Sequence, residues 1–571
     1  MAAKALAPVY TVAFQPLGRH GECGKRETIL DCARRLGVGI SNVCGGTGTC
    51  ASCRVQVLSG AVSEIASVER RSISARGLKA GWRLACQCYP RGDIRLHIPP
   101  ESLTTGQRTQ VEGLVVQVKP EPPVKAFALS IPPPTLDDLR GDVDRLMAAL
   151  EQTAKPPPQL VDPNIMRAVP ASLREWGWQC EAMVRGRDVV AVRKGGEPKL
   201  GLAVDLGTTK IAVYLVDLQK GKVITSRGIA NPQISYGDDV ITRITYAMAS
   251  PANARRLQAA VIDALNEMVE ALCGETTATH DDVLEAVVVG NTAMHHLFLG
   301  LPVQQLARSP FVPAISRALD VRAADLGLRI TTGGYVHLLP NIAGFVGADH
   351  VAVLLATEPW RLKGAAIVID IGTNTEVSLC AGGRITAASC ASGPAFEGGH
   401  ISHGMRAARG AVERVRIRGN TVQVQTIDDA QPAGICGSGI LDALAQLHLA
   451  GIVNERGRLL ESHPRVRETA SGREFVLVKG RKRGRDILVT QRDIRELQLA
   501  KAAIRTGIQS LLESGGLTDG DVRHVIIAGA FGSYIDVGSA VTVGMLPPLP
   551  LGRFRQVGNA AGPGHGWHWS R

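Results

Sequence analysis

Gly201–Leu218 reads GLAVDLGTTKIAVYLVDL, and Ala365–Leu379 reads AAIVIDIGTNTEVSL. Each is an apolar run of strand length, an Asp-x-Gly-Thr turn, and a second apolar run, so each predicts a buried β-hairpin. In such a turn the Gly and Thr amides and the Thr hydroxyls face outward as a concave set of donors, suited to phosphate oxygens. The Asp at the strand end is placed to hold Mg²⁺ through water, as suits a hard cation that keeps most of its hydration shell. One such turn is an ordinary hairpin. Two of them, with Asp205 and Asp370 lying 165 positions apart, are a repeated device at domain-scale separation.

Working outward, Val287–Thr292 (VVVGNT) predicts a strand ending in a Gly-Asn-Thr turn. Val525–Gly532 (VIIAGAFG) predicts a strand followed by a Gly-rich turn able to lie against a nucleoside. From Leu200 onward apolar strands ending in Gly-rich turns alternate with helical patterns, which predicts an α/β architecture. There is no G-x-x-x-x-G-K-[ST] sequence, which excludes a P-loop NTPase. In order, the four segments resemble the phosphate-1, connect-1, phosphate-2 and adenosine motifs of the acetate-kinase/sugar-kinase/Hsp70/actin ATPase superfamily, over about residues 199–562. That resemblance implies a two-lobed domain binding ATP and Mg²⁺. Asp205 and Asp370 would position the metal, and Gly207, Thr208, Thr209, Gly372 and Thr373 would cradle phosphates. Asn291 falls in the connecting motif, and Gly529, Ala530 and Gly532 would face the adenosine.

A second constellation lies near the N-terminus. Cys44, Cys50 and Cys53 stand in NVCGGTGTCASC, and Cys86 follows 33 positions after Cys53. Four thiolates in C-x5-C-x2-C plus one distant cysteine suit an iron–sulfur cluster, with Gly45, Gly46, Thr47 and Gly48 letting the loop wrap closely. Tyr10–Phe14 predicts a strand, Thr28–Leu36 a helix closed by Gly37, and Arg54–Leu58 a strand leaving the loop. Residues 8–98 resemble the 2Fe-2S ferredoxins, which implies a β-grasp fold. The alternative is a zinc site from Cys50, Cys53, Cys86 and Cys88, which leaves Cys44 and the glycine loop without a role. Cys88 is expected to be an ordinary thiol, and Cys23 and Cys32 to pack against the helix.

Composition agrees with a folded multidomain chain: of 571 residues 45% are hydrophobic and 20% charged, which excludes disordered and collagen-like classes. Gly is enriched, 63 of 571, and clusters beside Asp, Thr and Cys as loop chemistry. The N-terminal stretch lacks a secretory h-region, and no apolar run of membrane-spanning length exists, so the expectation is a cytoplasmic protein without membrane contact. Twelve cysteines then favour metal ligation or reduced thiols. The net charge of +12 is spread along the chain, and the basic run Arg481–Arg485 is expected to be a solvated loop face rather than a nucleic-acid site. Proline-rich stretches at Pro99-Pro100 and Lys119–Lys125 divide the chain into a ferredoxin-type domain 1–98, a linker 99–125, a small α+β middle domain 126–198 and the ATPase domain 199–571. In the middle domain, Thr135 to about Gln152 predicts a helix with Leu136, Leu139, Val143, Leu146 and Leu150 on one face. Gln179–Arg185 and Val189–Arg193 predict a hairpin around Gly186.

A 2Fe-2S domain fused to such an ATPase resembles one family, the reductive activators of corrinoid proteins. The segments ASGPAFEGGHISHGMRA (Ala391–Ala407), GICGSGILDAL (Gly434–Leu444) and QRDIRELQLAKAAIRTGI (Gln491–Ile508) look like that family's own. The resemblance implies transfer of one electron to a corrinoid protein of a methyltransferase system, taking Co(II) to Co(I). A plant-type cluster sits near about −400 mV and Co(II)/Co(I) lies lower, which is why ATP is needed. Ser392, expected as an exposed hydroxyl beside Gly393-Pro394, and Glu397 are the candidates for the corrinoid-facing side. His295, His296, His400 and His403 are expected to be structural or substrate-side. The closing VGNAAGPGHGWHWSR begins like the family's VGNAAG and then departs, which suggests truncation after about residue 562 and bears on any homodimer contact made there. Competing expectations are an ATP-dependent donor to another low-potential enzyme, a ferredoxin–ATPase sensor module, and a metabolite kinase with an added redox sensor.

Overall fold

The computed structural model describes the chain apart from residues 1–8, 16–18, 37, 39, 41–43, 45, 99–101, 103–120, 238, 373, 462, 471, 481–485, 530, 533, 559 and 561–571. Gly45, Thr373, Ala530, most of the expected linker, the basic run 481–485 and the end of the tail lie outside the described residues.

The N-terminal unit is a five-stranded mixed sheet. Its order is Arg19–Gly24, Val9–Gln15, Ile94–His97, Arg54–Ser59, Trp82–Leu84, with the second and third strands parallel. The helix Ile29–Arg35 crosses it, capped by Thr28, whose hydroxyl accepts from the Asp31 amide at 3.0 Å. This is the β-grasp arrangement. Its core is apolar, from Val12, Phe14, Ile29, Leu30, Val55, Leu84 and Leu96. One ionic group is buried inside it: Glu69 is 0% exposed and grips Arg83 at 2.8 and 2.9 Å while accepting from the Leu84 amide at 2.9 Å.

Next comes a four-stranded sheet, ordered Val124–Ser130, Gln179–Arg185, Asp188–Arg193, Leu160–Val161, with two helices, Asp142–Thr153 and Pro163–Glu175. The hairpin around Gly186 forms as the alternation predicts. The helix expected over 135–152 does not start at Thr135. Thr135 and Asp138 close a tight turn by exchanging backbone hydrogen bonds of 3.2 and 3.1 Å, and Arg145 clamps Asp138 at 2.7 Å. The helix therefore begins at Asp142, leaving Leu136 and Leu139 at 94% and 81% exposure while Leu146 and Leu150 are buried. Val124, Met183, Val190 and Ala191 of this sheet pack on Leu218, Leu284 and Val287 of the next. Arg185 adds an ion pair to Glu285 at 3.5 Å and Arg193 one to Asp282 at 2.7 Å.

The remainder is two lobes, each built on a sheet with the same central plan. In the first, the strands run in the order Lys222–Ala230, Lys210–Asp217, Leu200–Leu206, Val283–Val289, Tyr335–Leu338, Leu319–Arg322. In the second, the order is Arg384–Cys390, Thr375–Ala381, Ala365–Ile371, Val522–Ala528, Phe554–Gly558. Each central strand pairs antiparallel with the returning arm of its Asp-Gly-Thr hairpin and parallel with a later strand. Asp205 thus lies beside Val289, and Asp370 beside Ala528. Ligands of open α/β sheets collect at the carboxyl ends of parallel strands, and both aspartates stand there.

Candidate functional sites: a thiol cage and an acid-floored cleft

The glycine loop and the segment before Ile94 bring four sulfurs together in two pairs. Cys53 Sγ lies 3.4 Å from Cys86 Sγ, both buried, while Cys44 and Cys50 form a half-buried second pair. A hydrogen bond from Cys50 holds the Cys44 thiol down at about 3, and the same contact pushes Cys50 up. Cys53 and Cys86 divide in the same manner, Cys86 lowered and Cys53 raised. Each pair shares protons because each sulfur is the other's best partner, and the two pairs lie close enough to act on one another by charge. Gln87 braces the cage, donating to the Gly46 carbonyl at 2.8 Å, and Gly46 holds a φ of +99° that favours glycine. Cys88 stands apart, pushed up to about 12 by burial, with its carbonyl tied to the Ile29 amide at 2.8 Å. Four convergent thiols fit a cluster that takes four thiolates. Cys23 and Cys32, with Glu27, form a separate group whose ligand atoms lie within 4.8 Å of one another. There Glu27 is already occupied by Arg35 and the Gly24 amide.

Between the lobes, the first Asp-Gly-Thr turn is braced from behind. Asn291, 8% exposed, donates to Thr208 Oγ1 at 2.8 Å and caps the helix Thr292–Leu299 by accepting from the Met294 amide at 3.0 Å. Asn231 donates to the carbonyls of Gly207 at 2.8 Å and, through its amide, Thr209 at 2.9 Å. The fully buried Arg243 donates to the Thr208 carbonyl. With its carbonyls held from behind, the turn keeps its amide face toward the cleft.

Four carboxylates meet on the cleft floor. Asp205 and Asp370 come from the two hairpins, and Glu376 stands opposite Asp370 in register. Asp349 lies in the first turn of the helix Ala348–Thr357, whose start is pressed against the Gly290-Asn291 turn. There a Cβ on Gly347 would fall 2.4 Å from the Asn291 Cα. Burial, then the charge of Asp205, pushes Asp349 up to about 7; burial, then Asp349 and Asp205, pushes Asp370 to about 8. Glu376, 5% exposed, is raised by burial and by Asp349 and Asp370. Carboxylates so crowded hold protons unless a cation supplies the missing charge, so the donor set fits a divalent oxygen-liganded metal. Gly529, expected from sequence to face the adenosine, holds a φ of +89°. A Cβ there would meet the Ile371 carbonyl at 2.4 Å and Asp370 Oδ1 at 2.8 Å. Gly532 is tied through its carbonyl to Gln556 at 2.7 Å, and Phe531 stacks on Phe396 with centroids 5.3 Å apart.

Ser392 differs from its sequence expectation. It is 5% exposed and shares a 2.9 Å hydrogen bond with Thr375 Oγ1 at the start of the returning strand, because the Cys390 carbonyl turns its amide inward at 2.8 Å. Glu397 ends the short 3₁₀ turn Pro394–Glu397 that follows. His296 is buried, its Nδ1 on the Thr292 carbonyl at 2.7 Å and its Nε2 accepting from the Ala314 amide at 2.9 Å. Burial pushes His295 down to about 4. Asp349, Glu376, Asn231 and Arg243 were not singled out by sequence. An acid inside an otherwise apolar strand marks Glu376, and GAD opening a helix marks Asp349.

Fold and sites together define a ferredoxin joined to an ASKHA-type ATPase. The family comparisons agree: residues 12–91 match the 2Fe-2S iron-sulfur cluster binding domain, 114–198 the RACo linker region, 200–359 the RACo middle region and 364–566 the C-terminal ASKHA domain of RACo. The chain is 31% identical to the corrinoid activation enzyme RamQ of Eubacterium limosum, over 97% of this chain and 92% of the relative. It is 26% identical to the [Co(II) methylated amine-specific corrinoid protein] reductase of Methanosarcina barkeri, over 61% and 66%. A solved structure of a reductive activator for corrinoid, iron-sulfur protein superposes with a TM-score of 0.69 at 34% identity, covering 98% of this chain and 92% of that one. The chain belongs to the family of reductive activators of corrinoid proteins. Family and sequence draw one division differently: the segment 126–198, expected as a middle domain, falls in the family's linker region, and the family's middle region is the first ATPase lobe.

Proposed function

We propose that this protein passes one electron from a 2Fe-2S cluster held by Cys44, Cys50, Cys53 and Cys86 to a partner corrinoid protein, using ATP. Cobalt goes from Co(II) to Co(I) and the cluster is oxidised by one electron, which restores methyl-transfer competence. The observation that carries this reading is the union, in one chain of that family, of a four-thiol cage and an acid-floored nucleotide cleft. An electron leaving a cluster near about −400 mV for a more reducing acceptor runs uphill, so it needs a second source of free energy. Asp205 and Asp370, with Asp349 beside them, position Mg²⁺, while Gly207, Thr208, Thr209, Gly372 and Thr373 take the phosphates. Gly529, Ala530 and Gly532 face the adenosine. The loop carrying Ser392 and Glu397 is assigned to the corrinoid side, with Ser392 anchoring the loop rather than offering its hydroxyl. No described cysteine forms a disulfide, and no helix among the described residues is long and apolar enough to cross a membrane, which suits a reducing compartment such as the cytoplasm.

The test is anaerobic absorbance of a partner corrinoid protein, following the Co(I) band with reduced protein, with and without Mg-ATP. Reduction is expected only with both cluster and nucleotide. Equal rates without nucleotide, or in Cys44→Ser, reject the proposal.

A further inference from the structure

Among the described residues, an aromatic contact joins the ferredoxin unit to the first ATPase lobe. The Arg34 guanidinium, on the helix Ile29–Arg35, lies 4.8 Å from the centre of the Tyr236 ring. Tyr236 in turn lies 5.0 Å from Tyr246, whose hydroxyl accepts from Arg256 at 3.2 Å. Arg34 Nη1 is paired with Asp31 at 2.8 Å, but its Nε and Nη2 are buried without a hydrogen-bond partner. The attraction of the cation for the ring is therefore offset by two donors left unpaired. Such a contact holds, but weakly. Beside it opens a cleft of about 810 Å³, walled by Arg34, Tyr236, Tyr246 and Arg256 on one side and reaching Cys86 and Gln87 of the thiol cage on the other.

Both ends of this contact are wired to a site. On the ferredoxin side, the helix is bolted to the cage segment through Ile29 N to Cys88 O at 2.8 Å and Leu30 N to Ala85 O at 3.0 Å. On the ATPase side, Tyr236 ends the 3₁₀ turn Pro232–Tyr236, which starts from Asn231, the residue holding Gly207 and Thr209. Tyr246 sits one turn beyond Arg243 on the helix Val240–Ala249. Arg243 binds the Thr208 carbonyl and also the Gly237 carbonyl, next to Tyr236, at 2.8 Å. The residues that shape the phosphate turn are thus the ones that place the two tyrosines.

We propose that Tyr236 and Tyr246 latch the ferredoxin unit through Arg34, and that nucleotide at the phosphate turn opens the latch through Asn231 and Arg243. Closed, the latch keeps the cage rim at Cys86 facing the ATPase lobe, where a protein-sized acceptor has no approach. Open, the rim is free to meet it. This rests on the nucleotide assignment made above, and the experiment separates the two.

A spin-labelled amino acid replaces exposed Met248 in the full chain, and pulsed EPR measures its distance to the reduced 2Fe-2S cluster. The expected result is a narrow distribution without nucleotide that broadens and lengthens with the magnesium complex of adenosine 5′-(β,γ-imido)triphosphate. Arg34→Ala, and separately Tyr236→Leu with Tyr246→Ala on the other unit, should give the broad distribution without nucleotide while the visible spectrum of the cluster is kept. If either set of variants retains the narrow distance, the latch is wrong. Calorimetry on the same sample reports whether the analogue binds. Binding with no change in distance overturns the coupling alone, and no binding overturns both the coupling and the nucleotide site.

Discussion

Cys44 and Cys88 carry the same side chain in opposite settings. Cys44 is held near thiolate by Cys50, whereas Cys88 is kept protonated by burial. Cys44→Ser should lose the cluster and Cys88→Ser should keep it, as judged by iron and sulfide content and EPR after dithionite reduction. Retention of a full cluster in Cys44→Ser would remove that residue from the ligand set. Glu285 makes a pH prediction. It is 2% exposed, and burial pushes it up to about 7, against the opposing pull of Arg185. Its folded pKa lies above the ordinary value, so its cost to the fold is absent below about pH 4.5, grows toward pH 7 and is complete above it. Glu285→Gln should therefore raise the melting temperature at pH 8, by roughly 1–3 kcal/mol of stability, and give nothing near pH 4.5. A gain independent of pH contradicts the assignment. Cysteine spacing and the Asp-Gly-Thr turns were legible in the sequence because each packs its chemistry into a dozen residues. Ser392 was not, since its burial depends on Thr375, a partner 17 positions away on another strand.

At the scale of elements, strands and turns followed the sequence closely where one face is buried, as at Arg54–Ser59 and Gln179–Arg185. The helix start at Asp142 was hidden because a long-side-chain clamp, Arg145 on Asp138, outweighs the apolar periodicity of Leu136 and Leu139. Asp349 and Glu376 were hidden for a related reason. Strand register and the seating of a helix on the Gly290 turn carry them to the cleft, and neither is visible as spacing. In the ferredoxin sheet, Glu69 holds Arg83 and the Leu84 amide, two residues before Cys86. Glu69→Gln leaves a buried guanidinium uncompensated and should cost about 3–5 kcal/mol. Heating while following cluster absorbance should show bleaching at a lower temperature than in the unaltered protein. An unchanged bleaching temperature would mean that the pair is dispensable.

At the scale of the whole molecule, the two lobes present their central aspartates from separate sheets to one cleft. Asp370 is pushed up to about 8 by burial and by its acidic neighbours, so above that pH its charge opposes the folded form. Asp370→Asn should consequently raise the melting temperature of metal-free protein at pH 8.5, while lowering Mg-ATP affinity tenfold or more, about 1.4 kcal/mol. Thermal melts and calorimetry on the same preparation check both halves. A variant that gains stability and keeps full affinity would exclude Asp370 from the metal site.

That crowding also makes the cleft a spring. Two jaws tipped with like charge push each other apart whenever protons and cations are both scarce, and a bound cation is the catch that lets them shut. On the proposed reading of the cleft as a magnesium site, the recoil would be set by alkalinity and by free magnesium, so a cell short of magnesium would hold the two lobes ajar.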